Sequence, residues 1–186
     1  MRYTHTLAIA FMACTGFCPM VAGILGTSCI GTLNAISDLP GVFVKHLRTQ
    51  ACQAGCEPRF DHWDKYAMDS IVKPLVDATM EYAGAPDGKD IAVTFVDRNY
   101  QGIVADCNSK LREDVHFCSH PEFLQPFLDC AKSRARVHIF NNMTPLLPWA
   151  KENTCKKATE YLKSSTLSEV DFPQRTRGYM EKCREL

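Results

Sequence analysis

The chain has 186 residues, 21 of them basic and 21 acidic, so with histidine neutral it carries no net charge. That balance excludes two classes: proteins that bind nucleic acid through a general basic face, and polybasic proteins of membrane surfaces. With 46% hydrophobic residues and ten cysteines, the chain can both fill a core and cross-link it.

Arg2 is followed by an uncharged run from Leu7 to Leu25 that ends among small side chains. A short basic start, an apolar stretch and small residues make the pattern of a secretory signal peptide. Val21-Ala22-Gly23 sets small residues at the minus-three and minus-one positions, so cleavage is expected after Gly23. Residues 1–23 are then the signal peptide and residues 24–186 a single disulfide-rich helical domain. The run is close to the ~20 residues that span a bilayer. However, Gly16, Pro19 and Gly23 interrupt it, and no basic stop-transfer cluster follows. The expectation is a secreted, extracellular protein with no membrane span after cleavage.

The mature chain reads as helical nearly throughout. Between Ile30 and Cys56, Val44, Leu47 and Ala51 share one face, with Pro40 expected near a helix start. From Phe60 the apolar residues step through Trp63, Ala67, Ile71, Leu75, Ala78 and Tyr82, a helical stripe that Pro74 should kink or divide. Gly84-Ala-Pro-Asp-Gly88 ends it as a turn. Ile91–Val96 has the composition of a strand, yet Val93, Val96, Tyr100, Val104, Cys107 and Leu111 keep the helical period, and the longer pattern should prevail. Ser119 and Pro121 open a short helix carrying Phe123, Leu124, Phe127 and Leu128. Arg136–Phe140 could form a short strand, but it has no partner strand. Thr144-Pro145 opens a helix through Leu146, Ala150, Ala158 and Leu162, and Asp171 or Phe172 with Pro173 opens the last. The expected fold is all-α: an irregular bundle of about five to seven helices.

Cys14 and Cys18 leave with the signal peptide. Cys29, Cys52, Cys56, Cys107, Cys118, Cys130, Cys155 and Cys183 remain. An even number behind a signal peptide reads as four disulfides, with the pairing undetermined. Cys52 and Cys56, one helical turn apart, should reach different parts of the bundle rather than each other. A metal site is not expected. His116-x-Cys118-x-His120 has suggestive spacing, but Pro121 disfavours helical geometry at His120 and Cys118 is wanted in a bridge.

Asp61-His62-Trp63-Asp64, with Tyr66 nearby, is the most enzyme-like cluster, because carboxylates beside an imidazole can orient it as a base. It distantly resembles the Cys-x-x-His-Asp helix motif of secreted phospholipases A2. The resemblance implies a hydrolase using His62 and Asp64. The pattern departs in three ways: Cys56 is six residues from His62, Trp63 separates the two site residues, and no glycine-rich calcium loop precedes them. Helical periodicity turns His62 away from the Phe60/Trp63/Ala67 stripe, so a solvated polar face is the simpler reading.

Lys132-Ser-Arg-Ala-Arg136, Lys156-Lys157 and Arg175-Thr-Arg177 could converge on an anionic ligand, or be solvated surface. Asn142-Met-Thr144 is a glycosylation sequon expected in a loop. The many aromatics, Phe43, Phe60, Phe95, Phe123, Phe127, Phe140, Trp149 and Phe172 among them, could fill the core or wall an apolar cavity between helices. The leading expectation is a non-enzymatic protein without a cofactor, acting by binding a small apolar ligand or an extracellular protein. The alternatives are the small hydrolase and a structural role in a wall or matrix.

Overall fold

The computed structural model describes residues 26–110 and 116–186, so the expected signal peptide lies outside the described residues. The fold is an all-α bundle cross-linked by four disulfides, with six α-helices and no strand among the described residues. The helices are α1 (Thr27–His46), α2 (Lys73–Tyr82), α3 (Lys89–Cys107), α4 (Pro121–Asn142), α5 (Glu152–Leu162) and α6 (Phe172–Lys182).

Three stretches widen into π-helix. Leu47–Ala51 continues α1, Trp63–Val72 leads into α2, and Thr166–Asp171 leads into α6. Their backbone bonds reach back five residues: Cys52 N–H to the Leu47 carbonyl, Lys73 to Met68 and Phe172 to Leu167. Two of these stretches end just before a proline, Pro74 and Pro173, each in the first turn of the α-helix that follows. A proline ring collides with the carbonyl four residues back and offers no N–H to it. A widened turn ahead of the ring relieves that conflict without ending the helix.

Several elements depart from the sequence expectations. Pro40 sits inside α1 rather than near its start. Arg136–Phe140 is not a strand but part of α4, which runs for 22 residues instead of stopping after Leu128. The reason is a continuous apolar face at Leu124, Phe127, Ala131, Ala135 and Ile139, all buried, whose helical period outweighs the β-prone Val137 and Ile139. Thr144–Trp149 is a separate 3₁₀ turn holding Pro145 and Pro148, and α5 begins only at Glu152. The ambiguous Ile91–Val96 is helical, within α3.

The turn after α2 is a Schellman cap. Ala85 N–H donates to the Met80 carbonyl and Gly84 N–H to that of Glu81, each at 2.9 Å. Gly84 takes φ +71°, the left-handed conformation that glycine adopts without a Cβ penalty.

Two helix pairs form the frame. Helix α1 packs along α5 and α3 along α4, with α2, α6 and the π-helical stretches closing the remaining sides. Each pair carries a bridge, Cys29–Cys155 in the first and Cys107–Cys130 in the second. The segment after α1 is held twice, by Cys52–Cys118 and Cys56–Cys183. Cys52 and Cys56 thus diverge to two different elements. Along the α1–α5 seam, the Thr32 hydroxyl donates to the Cys155 carbonyl at 2.9 Å, and the Ser28 hydroxyl meets the Glu152 carboxylate at 2.5 Å.

Candidate functional site

The helices surround a cavity of about 410 Å³. All six contribute to its wall: Ile36 and Phe43 from α1, Leu75 from α2, Phe95 and Ile103 from α3, Phe127 and Ile139 from α4, Leu162 from α5, and Phe172 from α6. Large apolar groups around it, Ile71, Phe95 and Phe172 among them, are buried. The buried apolar residues fall into four clusters. Phe60 braces one side, with its ring centroid 4.7 Å from both Phe117 and Phe127 in edge-on packing. Of the aromatics noted in the sequence, Phe43, Phe60, Phe95, Phe127, Trp149 and Phe172 all line the cavity.

Several polar groups on the wall are bonded to protein. Thr79 Oγ1 donates to the Leu75 carbonyl at 2.7 Å, and Asn99 Nδ2 to the Phe95 carbonyl at 2.6 Å. Asn99 Oδ1 in turn accepts from Asn142 Nδ2 at 3.4 Å. A wall finished in this way offers a guest mainly dispersion contacts and escape from water.

His62 is part of this wall and is 7% exposed, which corrects the expectation of a solvated face. The cause is the π-helical turn that follows it. Five-residue spacing aligns His62 with Ala67, and both are buried together with Tyr66 and Ile71. His62 Nδ1 lies 2.8 Å from the Tyr179 hydroxyl, and Nε2 lies 3.9 Å from Asp61 Oδ1. An acceptor-only carboxylate facing Nε2 favours the proton on that nitrogen, so Tyr179 donates to Nδ1. Burial pushes the His62 pKa down; Asp61 opposes this, and Lys65 and Arg59 add to it. Burial also pushes the Tyr179 hydroxyl well above its ordinary value. The pair therefore rests neutral, with the imidazole lone pair engaged by Tyr179. Asp64 lies on the same π-helical stretch, with its side chain outside the described residues.

The other expected site residues are dispersed. Cys118 is bridged to Cys52, His116 Nε2 faces Glu57 Oε1 at 3.9 Å, and His120 Nδ1 meets Glu122 Oε1 at 3.0 Å. Among the described residues no group of three or more His, Cys, Asp or Glu side chains is placed to hold a metal. The three basic clusters sit on three different helices, α4, α5 and α6. Asn142 is the last residue of α4 and half-buried rather than in a loop.

A feature not singled out in the sequence adjoins the cavity. A groove of about 650 Å³ runs between α1 and α4, and Lys45, Arg48 and Lys132 line it together with Asp38 and Asp129. Lys45, in the last turn of α1, and Arg48, in the π-helical stretch that continues it, both line the groove. Nothing in the sequence pairs them with Lys132, because only packing of α1 on α4 does so.

No family model, curated protein or solved structure matches the chain. Among the described residues no helix is long and apolar enough to cross a membrane.

Proposed function

We propose that the mature protein is exported and acts as a carrier, holding a small apolar molecule between its helices. The apolar cavity carries this reading, since its volume falls within the roughly 300–1,000 Å³ of small-molecule sites. A guest in this space would gain dispersion contacts with the apolar side chains that line it and leave water.

Native mass spectrometry on protein exported through a eukaryotic secretory pathway tests the proposal. The denatured mass should begin at Ile24 and fall eight hydrogens below that of the reduced chain. The native mass should carry an adduct of lipid size. A bare native species that also takes up no fatty acid, alcohol or sterol after delipidation would overturn the carrier and favour a protein partner.

The hydrolase reading draws support from the position of His62 on the cavity wall. Against it stands the engagement of the Nδ1 lone pair by Tyr179, since a general base needs that lone pair for substrate or water.

A further inference from the structure

We infer that the guest is an anionic single-chain amphiphile, with its alkyl chain in the cavity and its charged head in the groove between α1 and α4. This rests on the carrier reading and names its ligand class. The cavity and the groove share a wall: Pro40, Val44, Ile103, Leu124 and Leu128 line both. A molecule passing this seam meets apolar side chains on one side and Lys45, Arg48 and Lys132 on the other. All three cations are exposed, and among the described residues none forms an ion pair. The two carboxylates of the groove leave a cationic excess, and Asp129 is partly occupied as an acceptor from Gln125 Nε2 at 2.8 Å.

The distribution of polar groups points the same way. Inside the cavity His62 and Tyr179 satisfy each other, and Asn99 and Thr79 are bonded to backbone carbonyls. The one cation on the cavity wall, Arg59, is already paired with Glu57 at 2.9 Å, whereas the groove offers a charged head three unpaired cations. Carboxylate and phosphate heads share the chemistry that these cations recognise.

Binding of three probes with the same sixteen-carbon chain tests the assignment: palmitate, 1-palmitoyl lysophosphatidate and hexadecanol, titrated into delipidated, disulfide-intact protein. At least one anionic probe should bind about tenfold or more tightly than hexadecanol, the difference made by one charge-assisted contact, and the tighter of the two anions identifies the head. The triple variant Lys45→Gln, Arg48→Gln, Lys132→Gln should remove that preference while hexadecanol binding stays unchanged, which also reports an intact fold. The variant Asp38→Asn, Asp129→Asn should strengthen anion binding. Equal affinity of all three probes, or a preference that survives the triple variant, would overturn the head-group assignment and leave the cavity as a site for neutral guests. Failure of every probe to bind would overturn the carrier reading as well.

Discussion

His62 shows how one local change of helix geometry reverses the meaning of a residue. On an ordinary helix it would stand off the apolar stripe, and its neighbours Asp61 and Asp64 would read as a solvated or catalytic cluster. The π-helical turn brings it into line with Ala67 and against Tyr179. Its lowered pKa has a consequence for stability. The unfolded imidazole titrates at about 6.5, while burial keeps the folded one neutral to lower pH. As pH falls through that interval the unfolded state takes up the proton and the folded state does not, so stability is lost. His46, stacked on Phe172 at 5.8 Å, is lowered by burial as well, opposed by a hydrogen bond involving the Ser168 backbone, and adds a loss of the same sign. Urea unfolding at pH 7.5 and pH 5 should therefore show lower stability at the acid end. His62→Gln should shrink the difference, leaving the part due to His46. An unchanged difference in the variant would place the pH dependence elsewhere.

Glycine and proline carry information at the scale of the element, but of different kinds. Gly84 was readable as a helix stop, because a Gly-Ala-Pro-Asp-Gly run permits few conformations. The backbone there makes the prediction specific: φ is +71° and a Cβ at this position would meet nothing within 4 Å. Gly84→Ala should thus cost roughly 1–2 kcal/mol from backbone conformation alone. Gly41, inside α1, also has open space around it but lacks a positive φ. Gly41→Ala should stabilise by up to about 1 kcal/mol, giving opposite signs in one thermal-unfolding experiment. The prolines were less legible. Pro74 and Pro173 announce a disturbance of the helix, yet whether the chain answers with a break, a kink or a widened turn depends on what the preceding turn packs against. Pro40 within α1 makes the same point, since a residue that usually marks a start sits mid-helix, with α4, α5 and α6 packed against α1.

For the whole molecule, the bridges differ in how much chain they close. Cys29–Cys155 spans 126 residues and Cys107–Cys130 only 23. Stabilisation through the unfolded chain grows with the logarithm of loop length. The other bridges shorten the loop that Cys29–Cys155 effectively closes, so its advantage should be about 1 kcal/mol. The Cys29→Ala/Cys155→Ala variant is expected to unfold at lower urea than Cys107→Ala/Cys130→Ala. The reverse order would mean that the α3–α4 bridge acts mainly by holding the cavity wall in shape.

The sequence by itself determined the helical class, the oxidised cysteine set and the positions of most helices, because these follow from local periodicity and composition. Ile91–Val96 became helix for that reason, whereas Arg136–Phe140, read as a possible strand, is helix because its apolar face continues that of α4. Tertiary structure alone decided three things. It chose the cysteine pairing, which depends on which helices are neighbours. It set aromatic side chains from several helices around one apolar pocket, which depends on which helices are neighbours. It also set Lys45 and Arg48 beside Lys132, residues some 80 positions apart whose approach exists only where α1 and its π-helical continuation pack on α4.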